Sequence, residues 1–495
     1  MKKDLSHMLG QPGALDGLGS KLRMVMLLTW PAIMAQMSNI AMEYIDASMV
    51  GSLGATQSAA IGLVATSTWL VWGLSAAAST GFAVQVAHRV GAGDDEGARS
   101  VTRSAISTVF LVGLVIAALG VAIAPVLPGW LGGNSDIAGP ASWYFGIFAA
   151  GVPLMGLTFL ATALLRSSGN MTVPGLANVV MCMMDVVFNF FLIFPTREAT
   201  VLGMDITIPG AGLGVPGAAL GTLLAYSAGG IWMMSYIFGR SAHLSHPWRG
   251  LKGRNRWRLR REIPVRAAVI GWPVALERVV MTGAQILITT IVAPLGNAAI
   301  AANAFAVTAE SLCYAPGYGV GDAATTLVGQ SLGAGRKDLA RSFARISVIS
   351  GMIIMGVLGA VMWLLAPQMM SLFSSDHEIV SLGAMALRTE AWAEPMFAAA
   401  IVTYGVFVGA GYTVVPACIN FGSIWLVRLT LAWFLAPTMG LYGIWLAMCI
   451  ELCVRGTVFI VYLAGKRWIR RSRALPADAD ALDPSPADEG DGPVM

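Results

Sequence analysis

The sequence predicts an all-α polytopic membrane protein of twelve transmembrane helices, arranged as two parallel six-helix lobes. Three observations lead there. Of 495 residues, 56% are hydrophobic and 12% charged, about half the charge of an ordinary soluble chain. The charges are clumped: residues 1–23, 239–266 and 466–495 hold 27 of the 58 charged side chains. The chain also repeats itself at an offset of 242 residues. A soluble domain so poor in charge would present hydrocarbon to water. That excludes a soluble enzyme and a nucleic-acid partner, and makes lipid the solvent.

A spanning helix needs about 20 mainly apolar residues. Twelve such stretches follow one another, at 24–50, 59–87, 101–127, 137–163, 170–195, 213–238, 264–294, 301–330, 343–371, 381–409, 413–437 and 440–466. They are continuous rather than alternating, so they are helices and not barrel strands. The first carries Pro31 and a polar stripe. The second and third flank the turn Gly91-Ala-Gly-Asp-Asp. Pro153 lies in the fourth span, and the fifth holds Asp185 and Asn189. An insertion at about 195–211 separates it from the sixth. Pro273 marks the seventh span, the eighth and ninth flank Gly333-Ala-Gly, and Pro395 sits in the tenth.

Lys and Arg set the orientation. With the N-terminus inside, 26 of 31 basic residues fall in inside segments, and only Arg197 and Arg388 in outside loops. Both termini are therefore expected in the cytoplasm. The expected domains are a cytoplasmic N-terminal segment (1–23), a first lobe (24–238), a basic cytoplasmic linker (239–263), a second lobe (264–466) and a disordered cytoplasmic tail (467–495). The net charge of +4 is a topological signal rather than a preference for anionic partners.

The repeat sets the architecture. Trp30-Pro31 aligns with Trp272-Pro273, Leu53-Gly54 with Leu295-Gly296, Gly91-Ala-Gly with Gly333-Ala-Gly, and Ala98-Arg-Ser with Ala340-Arg-Ser. Pro153, Gly169 and Asn178 align with Pro395, Gly411 and Asn420. Six spans per half is an even number, so both halves enter from the same side. The repeats are parallel about an axis along the membrane normal, with a cavity between lobes.

Ionisable groups within spans are costly and mark pathways. Gln36, Asn39, Glu43 and Asp46 are spaced 3, 4 and 3 and line one helical face. Asp185 and Asn189 stand at i,i+4. A carboxylate among oxygen donors holds Na⁺, or a proton when desolvated; alternatively Asp46 is a solvated helix-end residue. Glu277 replaces Ala35 of the first lobe and is either an ion or substrate carboxylate, or a partner of Arg278. Glu310, Asp322 and Glu394 are further candidates, and Glu394 is assigned with Gln36, Asn39, Glu43 and Asn189 to the substrate cavity. Arg428, Glu451 and Arg455 read as a structural network. The five cysteines lie in apolar runs as buried hydrophobes, and no HExxH, CxxC or His cluster is present. No metal, cofactor or catalytic site is therefore expected, and the chain is not an enzyme. Gly212–Gly217 fits GxGxxG but follows no strand, and Gly317–Asp322 reads as close helix packing rather than an ion filter. Met181, Met183, Met184, Trp69 and Trp72 offer thioethers and aromatics to lipophilic cations.

Several of these segments together resemble one family. They are Pro31, Asp46 with Val50-Gly-Ser-Leu-Gly-Ala55, Leu165-Arg-Ser-Ser-Gly-Asn170 with Pro174, and Asp185-Val-Val-Phe-Asn189. Gly214-Val-Pro-Gly-Ala-Ala219, Val328-Gly-Gln-Ser-Leu-Gly-Ala-Gly335, Arg428 and Gly440-Leu-Tyr-Gly-Ile-Trp445 complete the set. The chain resembles the MATE (multidrug and toxic compound extrusion) transporters over about residues 24–470. The resemblance implies a MATE-like 6+6 fold and export of organic cations or drugs in exchange for H⁺ or Na⁺, by alternating access in a bacterial inner membrane. It also implies Asp46 and Asp185 as ion-coupling carboxylates of the first lobe and Glu277 as that of the second. The tenth span departs from the pattern: Phe397 begins Phe-Ala-Ala-Ala-Ile-Val where one branch has Asp. A monomer is expected, with an organic cation and membrane lipid as partners. The alternatives are a lipid-linked oligosaccharide flippase, a membrane-embedded enzyme, and a major-facilitator transporter, which would carry a GxxxDRxGRR-type loop where this chain has GAGDDEGAR.

Overall fold

The computed structural model describes residues 15, 17–201, 204–248, 261–465 and 467–470. Most of the expected N-terminal segment, the centre of the basic linker and most of the tail lie outside the described residues. In chain order the helices are α1 (Leu18–Gly51), α2 (Ala55–Gly91), α3 (Asp95–Ile123), α4 (Ser135–Ser167), α5 (Thr172–Ile193) and α6 (Val215–Arg240). The second half has α7 (Glu262–Val292), α8 (Asn297–Gly333) and α9 (Lys337–Ser371). Its tenth helix, α10, is a pair, His377–Glu390 and Glu394–Gly409, bent by 61°. Val414–Gly422 and the π-helical turn Ser423–Arg428 run on into Leu429–Ala464. Gly440 breaks that last helix with φ 58° and ψ −140°; α11 precedes this break and α12 follows it. With α10 taken as one bent span and the last helix as two, the described residues hold twelve spans.

The repeat is visible in the backbone. Gly54 (φ 110°, ψ 168°) and Gly296 (φ 98°, ψ 168°) enter α2 and α8 with the same geometry. An L side chain at either φ would be strained. Gly93 and Gly335, then Gly169 and Gly411, repeat the pattern with φ between 68° and 88°. The outward faces match too. Leu111, Val115 and Leu119 on α3 are exposed, as are their counterparts Ile353, Val357 and Val361 on α9. Apolar residues one turn apart on an open face are what lipid contact requires.

Each half packs its own core. Leu160, Leu164 and Leu165 of α4 meet Val101 and Val109 of α3 and Ile237 of α6. In the other half Met362 of α9, Leu387 of α10 and Trp445 of α12 pack together. Small residues bring the lobes close, as in membrane bundles generally. A Cβ on Gly81 (α2) would lie 2.1 Å from the Ala267 oxygen of α7, and one on Gly319 (α8) would lie 2.7 Å from the Ile33 nitrogen of α1. The run Gly317–Asp322 is thus a packing surface.

Two features differ from the sequence expectation. The insertion folds as an antiparallel hairpin, β1 (Pro195–Val201) with β2 (Met204–Ala211), so the chain is not purely helical. The cysteines are all free, but only Cys313 is buried and Cys418 is exposed. In lipid, an apolar run has no reason to turn inward.

Candidate functional site

α1 lies at the lobe boundary and its polar stripe divides between the two sides. Toward the first lobe, the Asn189 amide of α5 donates to Asp46 Oδ1 at 2.7 Å and to Asp185 Oδ2 at 3.0 Å. Thr222 of α6 donates to Asp46 Oδ2 at 3.5 Å. The i,i+4 spacing of Asp185 and Asn189 sets them one turn apart. Gly221 makes room for them: a Cβ there would lie 2.0 Å from Asn189 Oδ1. Asp185 and Asn189 are fully buried, and Asp185 Oδ1 and Asn189 Oδ1 meet no donor. The site is therefore two carboxylates clasped by one amide, with two buried oxygens to spare.

Toward the second lobe, Gln36 Nε2 donates to Asp322 Oδ2 of α8 at 3.1 Å. Arg166, at the end of α4, is ion-paired with the same Asp322 oxygen. Tyr44 Oη donates to the Thr308 carbonyl at 2.7 Å, a second tie from α1 to α8. Asn39 is half-buried and Glu43 exposed on the intervening turns.

A cavity of about 330 Å³ opens between the lobes, lined mainly by α7, α8, α10 and α11, with Thr80, Val84 and Arg166 from the first lobe. Glu277, Glu310 and Asp322 are on its wall, with Arg166, Arg278, Arg428 and Arg455. The wall does not include Asp46, Asp185, Asn189, Gln36, Asn39, Glu43 or Glu394. Gln36 touches it through Asp322; the Asp46–Asp185 pair lies within the first lobe, and Glu394 is buried behind α8 and α9. Glu277 is not the partner of Arg278: it accepts from Tyr404 Oη and from Asn420 Nδ2, each at 2.5 Å. Glu451 is ion-paired with Arg428 Nη2 at 2.8 Å and Arg455 Nε at 3.0 Å, and accepts from the Ser423 hydroxyl at 2.6 Å. The π turn Ser423–Arg428 lets both of its ends reach that carboxylate, a use of π geometry common at functional positions.

The aromatic residues also divide. Trp72 sits among Phe148, Phe159 and Tyr226, with ring centroids 5.4–6.4 Å away. Trp69 and Met183 are exposed and do not line the cavity.

The far end of the bundle is shut by reciprocal contacts. His88 Nε2 bonds the Gly409 carbonyl at 2.9 Å, and Gln330 Nε2 donates to the Ser167 carbonyl at 2.8 Å. Between them α2 and α8 touch backbone to backbone: a Cβ on Gly91 would meet the Gln330 oxygen at 2.0 Å, and one on Gly333 the His88 oxygen at 2.0 Å. Sequence reading missed Thr222, Tyr404, Asn420, His88 and Gln330 as site residues. The repeat held a signal for the last pair, because both members occupy the position three residues before an aligned Gly-Ala-Gly.

Comparison with known proteins follows the same lines. The MatE family model matches residues 31–191 and 273–434, two copies that begin at Pro31 and Pro273, on the chain's own offset. The probable multidrug resistance protein NorM of Thermotoga maritima is 25% identical over 455 residues, covering 90% of this chain and 92% of the relative. The protein of the same name from Chromobacterium violaceum is 25% identical over 456 residues, covering 90% and 94%. The crystal structure of MATE in complex with MaL6 superposes with a TM-score of 0.84 at 20% identity, covering 95% of this chain and 99% of that one. With two copies of the family's unit in register with its repeat, this chain belongs to the MatE family.

Proposed function

We propose that this chain is a secondary active antiporter of the bacterial cytoplasmic membrane. It exports organic cations or drugs in exchange for H⁺ or Na⁺ by alternating access, as a monomer. The observation that carries the coupling role is the Asp46–Asn189–Asp185 clasp with its two buried, donorless oxygens. Two carboxylates held this close repel unless a proton or cation neutralises one of them. Loading that ion from outside and releasing it inside opposes substrate binding, and opposition of the two occupancies is all that exchange requires. One charge moving through 100 mV supplies about 2.3 kcal/mol. Glu277, held by Tyr404 and Asn420 on the cavity wall, is the second-lobe carboxylate available to a cationic substrate. The relatives' names as multidrug resistance proteins support the same reading.

The excess of basic residues in the inside segments supports cytoplasmic termini. On that orientation the His88–Gln330 end faces the cytoplasm, and lobes 24–238 and 264–466 rock to open it. The test is ethidium transport in proteoliposomes with ΔpH and ΔNa⁺ imposed separately. Asp46→Asn is expected to insert normally and lose gradient-driven transport; transport at the wild-type rate refutes Asp46 as the coupling residue.

Four arginines on the cavity wall raise the flippase reading, which needs a basic chamber for pyrophosphate. Three of them are already engaged: Arg166 by Asp322, and Arg428 and Arg455 by Glu451. That weighs against an anionic cargo. Translocation of a lipid-linked sugar in the same vesicles, with no ethidium transport, would reverse the choice.

A further inference from the structure

Two arginines near the start of α9 are left without a counter-charge. Arg341 and Arg345 stand at i,i+4, one half-buried and one exposed. Among the described residues neither side chain has an ion pair or hydrogen bond. Asp338, the acid just before them in sequence, is held by Arg336 at 3.3 Å. With Leu463, Ala464 and Gly465 at the end of α12, and with Trp468, the two arginines line a cavity of about 50 Å³. That is far below the roughly 300 Å³ at which drug-sized sites begin. Trp468 is buried, and its indole Nε1 donates to the Leu463 carbonyl at 3.0 Å, which ties the chain after α12 to that wall.

The repeat supplies a comparison within the chain. Arg99 and Arg103 are the first-half equivalents of Arg341 and Arg345. There the chain that follows α6 returns to them. Leu244 is buried in one core with Ala98 and Val101, His243 Nδ1 meets Asp95 Oδ1 at 2.8 Å, and Arg103 donates to the Pro247 carbonyl. In the second half Trp468 plays the part of Leu244, buried in one core with Ala340 and Ala344. No described carbonyl or carboxylate reaches Arg345. Arg103 is thus capped by its own chain, whereas Arg345 is open.

The open side continues into lipid-facing surface. From Arg345, the residues Ile349, Ile353 and Val357 follow along α9 at four-residue steps, all exposed, so they share its face. Val454, Val458 and Val461 are exposed on α12. Lys466, Arg467, Arg470, Arg471 and Arg473 crowd the eight residues after the last span, a composition that gathers anionic lipid at a membrane surface. A guanidinium group grips phosphate through paired N–H groups, and the apolar rows offer hydrocarbon to acyl chains.

We propose that Arg341 and Arg345 bind the phosphate of an anionic phospholipid, seated in this notch with its acyl chains along α9 and α12. The site is distinct from the Asp46–Asp185 clasp and the interlobe cavity, and it does not rest on the transport reading.

The test is native mass spectrometry of the purified full-length protein with dioleoyl phosphatidylglycerol or dioleoyl phosphatidylcholine added. At least one phosphatidylglycerol is expected to bind more tightly than any phosphatidylcholine. Arg341→Gln/Arg345→Gln is expected to weaken that lipid about thirtyfold, the loss of two cationic contacts at a membrane surface. Lys21→Gln/Arg23→Gln removes the same charge from α1 and is expected to leave it bound. Ala464→Trp fills the notch from the other wall and is expected to expel it, which keeps the test alive if the arginine variant fails to insert. Equal binding of the two lipids overturns the proposal, as does an equal loss in the Lys21/Arg23 variant, which would leave only general surface charge. Displacement by millimolar sodium phosphate would make this a site for free anions and also overturns it. The segment 474–495 holds six acidic residues. Phosphatidylglycerol binding that appears only when this segment is deleted would assign the notch to the chain's own end instead.

Discussion

His88 and Gln330 stand 242 residues apart and make the same bond in opposite directions. His88 of the first half reaches the Gly409 carbonyl of the second at 2.9 Å, and Gln330 of the second reaches the Ser167 carbonyl of the first at 2.8 Å. Ser167 and Gly409 are themselves 242 residues apart. Each lobe thus supplies one donor and one acceptor to the seal, and rocking the lobes apart must break both bonds. His88 Nε2 must carry the proton to donate.

Removing either donor should loosen the seal. His88→Ala or Gln330→Ala leaves a buried carbonyl unpaired, at about 1–3 kcal/mol. That is roughly a five- to 140-fold shift toward the form open at this end, since about 1.4 kcal/mol is tenfold. Spin labels at the exposed positions Glu96 and Lys337 should report a longer distance population in each variant, larger in the double variant.

Adding one methyl group at the crossing should prevent closure. In Gly91→Ala or Gly333→Ala the new Cβ would lie 2.0 Å from a backbone oxygen that has no way to rotate aside. Both variants are expected to insert and lose transport, with the label distance fixed at its longer value. Wild-type transport in either would show that α2 and α8 need not touch.

The clasp should fail by two independent routes. Asn189→Ala removes the amide that both carboxylates share, and Gly221→Ala pushes a Cβ to 2.0 Å from Asn189 Oδ1. Gradient-driven ethidium efflux is expected to fall at least about tenfold in each, the equivalent of roughly 1.4 kcal/mol. Binding of ethidium to the solubilised protein should persist.

Glu451 should matter for stability first. Among the described residues it is the carboxylate ion-paired with both Arg428 and Arg455, and Arg455 is buried. Glu451→Ala strands two guanidinium groups, and breaking a buried pair costs about 3–5 kcal/mol. A lower melting temperature in detergent is expected, larger than for Arg455→Ala, which leaves Arg428 still paired.

Much of the fold was legible because lipid leaves few options. Twenty-residue apolar runs and the aligned glycines and prolines specify spans and halves without any contact being known. The hairpin escaped notice, although Ile206, Ile208 and their neighbours alternate with polar residues as a strand does. At the site, Asp46, Asp185 and Asn189 stood out individually, but helical periodicity describes one helix and says nothing of which helix faces it. For that reason the stripe from Gln36 to Asp46 looked like a single cavity wall, whereas its ends serve different lobes. Tyr404 and Asn420 escaped as partners of Glu277 because they are unremarkable in their own spans.

The crossed bonds at the sealed end have an evolutionary consequence. Both acceptors are main-chain oxygens, which no substitution can delete, so imidazole and carboxamide serve the same purpose from equivalent places. An ancestral half encoded alone would have closed against a second copy of itself with both bonds in place. Asp46 and Glu277 stand outside that symmetry, with Ile288 and Ala35 at the equivalent positions.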